Sequence, residues 1–175
     1  MIVALLSDTH IPTTLNRLPD ALLRVLEGGV DRILHAGDIV SAAVLEQLSA
    51  IAPTIAVAGN MDPPEVARRL NNQEILRWEG TTIGLKHGHQ PHGVQAHYIE
   101  HAYESPQMDL FYQLMSTQLP GAKVIVFGHF HRPVIRAWRG VTFINPGAVA
   151  APGGRASFAL LELGKTVNAH VVPLP

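Results

Sequence analysis

Five times along this chain a short strand-like run ends in a turn that carries aspartate, asparagine or histidine, and this recurrence constrains the fold more than any bulk property. The runs are Ile2–Leu6, Arg32–His35, Thr54–Ala58, Thr81–Lys86 and Lys123–Phe127. The turns that follow them are Asp8-x-His10, Gly37-Asp38, Gly59-Asn60-x-Asp62, His87-Gly88-His89 and Gly128-His129-x-His131. A short apolar run bounded by turn residues reads as a buried strand. Between the first three runs lie helical patterns: Leu22, Leu23, Val25 and Leu26 after Pro19, and Val44, Leu45 and Leu48 after a capping Ser41. Strands and helices in alternation define an α/β layer, whose strand ends converge on one edge where ligands bind. The five turns are therefore expected to meet.

The second half changes character. Glu74–Trp78 and Thr81–Lys86 read as strands joined around Gly80, and Gly28-Gly29 and Pro64 punctuate the earlier part. Val134–Trp138, Val141–Ile144 and Phe158–Leu163 are further strands, with a weaker one after Lys165 and a hairpin turn at Arg139-Gly140. Residues 92–121 are polar and aromatic, with helical spacing at Leu110, Leu114 and Met115 and a division into two helices at Pro106. Their Tyr98, Tyr103, Phe111 and Tyr112 exceed what a solvated loop needs. They could cover a sheet edge, form a lid, or make a subunit contact, which would give a homo-oligomer through this segment. There is no repeat or linker, and 175 residues fit one domain.

Composition narrows the function. A net charge of −1 supplies no general basic field, which argues against nucleic acid as partner. Cysteine is absent, which excludes disulfides and thiolate metal sites and fits a cytoplasmic location. Ile2–Leu6 is too short for a secretion signal, and no stretch reaches the roughly 18 apolar residues of a membrane span.

The turn residues offer only carboxylate, amide and imidazole donors. Such shells suit manganese, iron, zinc or nickel better than magnesium or calcium. Two-residue alternation puts His129 and His131 on one face. Singly each motif is commonplace; five in succession, each after a strand, point to one metal site. Other polar residues have plainer readings. Asp62 precedes Pro63-Pro64-Glu65 and reads as a helix N-cap. His35 is a hydrogen-bonded core or supporting group, and His97 and His101, at i and i+4, share an exposed helical face. Arg132 and Arg136 read as surface residues that could otherwise meet an anion. His89 follows His87 by two and could face substrate, support a ligand, or face solvent.

In these motifs and their order the chain resembles the calcineurin-like metallophosphoesterase superfamily, and within it the small YfcE-like phosphodiesterases, from Asp8 through Asn145-Pro146-Gly147. The resemblance implies one domain over residues 1–175, an α/β fold in which a two-sheet β-sandwich is flanked by α-helices, with the site at one edge. It implies two divalent transition-metal ions, manganese first among them. Asp8, His10 and His131 would hold the first, Asn60, His87 and His129 the second, and Asp38 would bridge both. A hydroxide between the ions would attack phosphorus in line, with Asn60 steadying the phosphoryl oxygens. The implied substrate is a small phosphate ester. Larger phosphomonoesterases of the superfamily carry a histidine after the motif asparagine; here Met61 stands there and cannot donate a proton, which favours diesters. His89, ahead of Asp62, is the candidate replacement. The alternative is a scaffold: a retromer subunit of this fold has lost part of the ligand set, whereas here all seven donor positions are filled.

Overall fold

The computed structural model describes residues 1–175 and contains two five-stranded sheets. Its first half runs β1 (Ile2–Leu6), α1 (Asp20–Glu27), β2 (Arg32–His35), α2 (Ala42–Ile51), β3 (Thr54–Ala56) and a one-turn α3 (Pro64–Ala67). There follow β4 (Gln73–Trp78), β5 (Thr81–Lys86), α4 (His92–Gln95), α5 (Met108–Gln118), β6 (Val124–Val126), β7 (Val134–Trp138), β8 (Val141–Asn145), β9 (Ser157–Leu163) and β10 (Val167–Pro173). The first sheet is ordered β10-β9-β1-β2-β3 and the second β4-β5-β6-β8-β7. In the first sheet β1, β2 and β3 run parallel out to the β3 edge while β9 and β10 pair antiparallel; in the second β5, β6 and β8 run parallel with β4 and β7 antiparallel at the two edges.

Strand periodicity builds the layers. On β1, Val3 and Leu5 face the second sheet and pack with Leu34, Ile83, Leu85, Val124, Val126, Ile144 and Leu161. Ala4 and Leu6 face the other way, against Leu22 and Leu26 of α1 and Val44 and Leu48 of α2. A strand covered on both faces must be apolar throughout, which is why Ile2–Leu6 shows no polar alternation. The outer face of the second sheet is covered by α5 through Phe111, Tyr112 and Met115, packed on Ile125, Phe127 and Phe143. The expected two-sheet sandwich flanked by helices is therefore the observed fold.

Some details differ. The third strand ends at Ala56, because Val57 makes only an isolated bridge to Asn71. The strand after Lys165 runs seven residues and pairs along all of β9, although its burial alternates only in part. Residues 92–121 hold one short and one longer helix on either side of Pro106, but the first ends at Gln95, so His97 and His101 lie in turns and share no helical face. The four aromatic residues of the segment lie in this chain's own core, beside Phe127 and Phe130. Arg139 and Gly140, like Glu79 and Gly80, take positive φ at both central positions of two-residue hairpins, as the right-handed twist of paired strands requires. No helix is long and apolar enough to cross a membrane.

Candidate metal centre

The five turns follow the C-terminal ends of β1, β2, β3, β5 and β6 and meet where the two sheets adjoin. Parallel pairing of β1 and β2 continues into the turns: the Asp8 amide donates to the Gly37 carbonyl at 3.0 Å and the His10 amide to the Asp38 carbonyl at 3.1 Å. Two elements are thus stitched before any side chain acts.

The backbone there is unusual. Asp8, His10, Asp38, Val40, His129 and His131 all have φ between 45° and 72°. Left-handed backbone costs a non-glycine residue on the order of 1–2 kcal/mol, and most for a β-branched one such as Val40. In each of three turns alternate residues adopt it, which turns both side chains of Asp8-x-His10 and of His129-x-His131 toward the shared centre. Glycines allow the close approach: a Cβ on Gly59 would collide with the Asp38 carboxylate, and one on Gly128 with the Ser7 hydroxyl.

Asp8, Asp38 and His87 are buried, His10 and His129 are half-buried, and Asn60 and His131 lie at the open side. Two groups of donor atoms converge: Asp8, His10 and His131, and Asp8, Asp38 and His87. Asp8 Oδ1 lies 3.2 Å from His131 Nε2 and 3.9 Å from His10 Nε2. Asp38 Oδ2 lies 3.2 Å from His87 Nε2 and 3.8 Å from His10 Nε2. Both carboxylates therefore reach both groups, so Asp8 joins Asp38 as a shared corner. Asn60 Oδ1 is 3.0 Å from His87 Nε2, and the His129 ring stands 5.2 Å from that of His87.

Whether these residues fit metal ions is decided by their unmet hydrogen bonds. His87 Nδ1 donates to the Ala36 carbonyl at 2.7 Å, so a neutral ring presents a lone pair at Nε2. In that neutral form the lone pair faces Asn60 Oδ1 and Asp38 Oδ2, both acceptors, a mismatch that a proton on Nε2 or a metal ion between them resolves. His129 Nε2 is buried without a partner, buried Asp8 Oδ1 has only the His131 ring at 3.2 Å beside it, and His10 Nε2 and His131 Nε2 stand 3.4 Å apart. Acceptors facing acceptors in a buried cleft call for cations among them. The donor set fits divalent ions.

Protonation follows the same crowding. Burial pushes the Asp38 carboxyl up, but its bond to His87 and the charge there overcome this and hold it down to about 2. The Asp8 carboxyl is likewise lowered, burial being outweighed by His131 and His87. His87 is raised because the bond to Asp38 and the charge of Asp8 outweigh burial, and His131 because it bonds to Asp8. His129 is pushed down to about 4 by burial and by His87, and His89 is lowered for the same two reasons.

A surrounding layer fixes the donors. Ser7 donates to Asp8 Oδ2 at 2.5 Å, and the His129 amide donates to the same oxygen at 3.1 Å. Asn145 Nδ2 donates to the Gly128 carbonyl at 2.8 Å while its Oδ1 accepts from Gly147 at 2.9 Å. His35 Nδ1 accepts from the Gly37 amide at 3.2 Å, leaving Nε2–H for Thr9 Oγ1 at 3.3 Å. Sequence reading gave His35 this supporting role but missed Ser7 and Asn145, although each lies in or beside a motif.

Asp62 requires a correction. The N-cap of α3 is Pro63, and the Asp62 carboxylate instead accepts from the amides of Asp38 (3.2 Å), Ile39 (2.7 Å), Val40 (2.7 Å) and Gly59 (2.7 Å). A carboxylate holding four amides braces loops and is unsuited to give up a proton. Arg132 is engaged with the carbonyls of Ile99 and His101 and stacks on Tyr103, and Arg136 stacks on Tyr112. His89 stands 5.5 Å from the His87 ring and 6.2 Å from that of His129, its Nδ1 buried without a partner.

Comparison with known proteins places this fold and its donor set. The chain belongs to the calcineurin-like phosphoesterase superfamily, whose domain model matches residues 1–166. It is 31% identical over 153 residues to a probable metallophosphoesterase of Methanothermobacter thermautotrophicus, covering 87% of this chain and 79% of that protein. Among solved structures, an archaeal phosphodiesterase shares the fold with a TM-score of 0.71 at 20% identity, over 99% of this chain and 100% of that one. Vps29 of Entamoeba histolytica, solved in complex with zinc, shares it with a TM-score of 0.71 at 23% identity over 99% of each chain.

Proposed function

We propose that this chain is a phosphodiesterase that works with two divalent transition-metal ions, manganese first, with iron, nickel or zinc as alternatives. The observation that carries the reading is that Asp8 and Asp38 each reach both donor groups, which is the arrangement two neighbouring cations need. Carboxylates shared between cations offset their repulsion at separations of roughly 3.5–4 Å. Asp8, His10 and His131 would hold one ion and Asn60, His87 and His129 the other, with Asp38 between them. When bound, the ions supply a water of lowered pKa as nucleophile and charge to steady the phosphoryl oxygens.

The chain's own residues set up the rest. Asp8 and Asp38 stay ionised, and the His87 Nδ1 bond to Ala36 aims Nε2 inward. Asn60, exposed at the mouth of the cleft, can donate its amide to a phosphoryl oxygen. Where a leaving oxygen needs a proton, His89, whose ring stands 5.5 Å from that of His87, is the group placed to pass it. Met61 stands where a donor would serve monoesters, which favours diesters. A small ester is the fitting substrate because the net charge of −1 offers nucleic acid no basic track.

The fold shared with Vps29 keeps an interaction module as a second reading. A scaffold has no need of strained backbone at five of the seven donors, Asp8, His10, Asp38, His129 and His131. Self-association through residues 92–121 would rest on Leu110, which is 44% exposed, and sedimentation would detect it. Hydrolysis of phosphomonoesters, diesters and cyclic nucleotides by metal-reconstituted protein tests the main reading. Turnover of diesters that vanishes with chelator is expected; inactivity toward every ester with metal bound would overturn it.

A further inference from the structure

Beside the metal centre, behind His89, lies a cavity of about 380 Å³ lined by Lys86, His89, Gln90, Pro91 and Gln118. Apart from the rings of His89 and Pro91 the lining is polar, an ammonium and two amides, so it offers hydrogen-bond donors more than apolar surface. His89 belongs both to this cavity and to the histidine cluster, its ring 5.5 Å from His87. A group attached to a phosphate at the metal centre and directed past His89 would enter it.

The lining polar groups are poorly satisfied by one another. Lys86 Nζ has one partner, the amide oxygen of Gln73 at 3.3 Å, and no carboxylate within 4 Å. Gln90 and Gln118 exchange two amide bonds, both long at 3.4 Å, although Gln90 is only 8% exposed. The remaining polar contact of the Gln90 amide is Met115 sulfur at 3.9 Å. A half-buried ammonium facing only an amide gains most from an anionic partner, because charge-assisted bonds are about twice as strong as neutral ones. Two glutamines with weak mutual bonds can donate to the same anion at little loss.

We propose that this cavity is a second anion subsite, and that the natural substrate is a phosphate diester whose other arm carries a carboxylate or a further phosphate, read by Lys86 with Gln90 and Gln118. This rests on the phosphodiesterase reading above for the chemistry, but not for the binding. Where the arm's anion comes from a carboxylate or a phosphate, the recognising chemistry is shared.

Two measurements separate the claims. The first is calorimetric binding, to manganese-loaded protein, of alkyl phosphates whose arms of three to six carbons end in carboxylate, phosphate or hydroxyl. At one or more lengths an anionic end should bind about tenfold more tightly than the hydroxyl end, the scale of one charge-assisted bond. The advantage should vanish in Lys86→Gln and persist in Lys86→Arg, which also controls for folding. Equal binding of anionic and hydroxyl ends at every length, or an advantage that survives Lys86→Gln, would overturn the subsite. Comparison of the carboxylate with the phosphate end names the anion. The second measurement is hydrolysis of the matching p-nitrophenyl diesters: no turnover alongside an anion advantage in binding would sink the phosphodiesterase reading and leave the subsite standing.

Discussion

Asp38 and Asp62 brace one another's loops: the Asp62 carboxylate accepts from the Asp38 amide and its two successors, while Asp38 Oδ1 accepts from the Met61 amide at 2.8 Å. The loop after β2 and the loop after β3 are thereby locked to each other through two carboxylates. One of them is left with an oxygen, Oδ2, turned toward the donors of the metal centre. The positive φ of Asp38 and Val40 persists because Asp62 holds the amides on either side of Ile39 as well as its own.

Removing that brace should loosen both loops. Asp62→Ala leaves four amides without their acceptor, at about 1–3 kcal/mol for each that water does not reach. A loss of about 3 kcal/mol in urea denaturation is expected, with weaker metal binding. Asp62→Asn, which keeps one acceptor oxygen, should fall between. A metal affinity unchanged in Asp62→Ala would show that the loops hold their shape without it.

Asp38→Asn acts on the site itself. It should lower turnover by several orders of magnitude, more than replacement of any single histidine ligand, while circular dichroism stays that of the native fold. Near-normal rates with two ions bound would show that the Asp38 charge is not shared. Asp8, which also reaches both donor groups, is the residue whose replacement should come nearest in effect.

Metal binding should release protons. His87 and His131 are raised above the ordinary histidine range by Asp38 and Asp8, so the metal-free site holds protons that ions must displace. Affinity should therefore weaken as the pH falls. Elemental analysis after loading at pH 8 should give two ions per chain, fewer at pH 5.5. Saturation at one ion per chain at pH 8 would end the dinuclear reading.

The fold and the meeting of the five turns were legible in the sequence for one reason: each turn follows a short strand whose largely apolar residues bound it clearly, as Ile2–Leu6 does. The supporting contacts were not. Three of the four amides that donate to the Asp62 carboxylate lie 22 to 24 residues away, so local spacing suggested a helix cap instead. Asn145 and Gly128 are likewise joined across 17 residues by a bond that no periodicity encodes. The turn over residues 96–101 escaped because i, i+4 spacing fits a helix whether or not the backbone continues past Gln95.

Stability should depend on pH through His35. The ring is fully buried, and burial pushes its pKa down to about 4 from an ordinary 6.5. Below pH 6.5 the unfolded chain takes up a proton that the folded chain refuses. Stability contributed by this group is thus complete above pH 6.5 and is lost as the pH falls toward about 4, by about 3 kcal/mol at most. His35→Gln keeps a donor for Thr9 and removes the titration. Urea denaturation in chelator between pH 7.5 and 4.5 should show a smaller decline for the variant; parallel declines would place the effect elsewhere.

Met61 offers the sharpest test of substrate type. It follows Asn60, its amide is fixed by Asp38, and its side chain is 59% exposed, so a larger polar group can stand there without disturbing the core. Met61→His would put an imidazole at the mouth of the cleft, on the same loop as Asn60. General acid catalysis contributes about 10²–10⁴-fold when the proton donor reaches the leaving oxygen. The variant should therefore raise the rate on an alkyl monoester relative to a diester that shares its leaving group. The leaving group must be poor enough to need protonation, since p-nitrophenolate departs without help and would hide the gain. Wild type should favour the diester. If it already prefers the monoester and Met61→His leaves the ratio unchanged, a proton donor is present. His89 is then the group to replace: loss of the preference in His89→Asn would identify it, with Asp62 held back by its four amides.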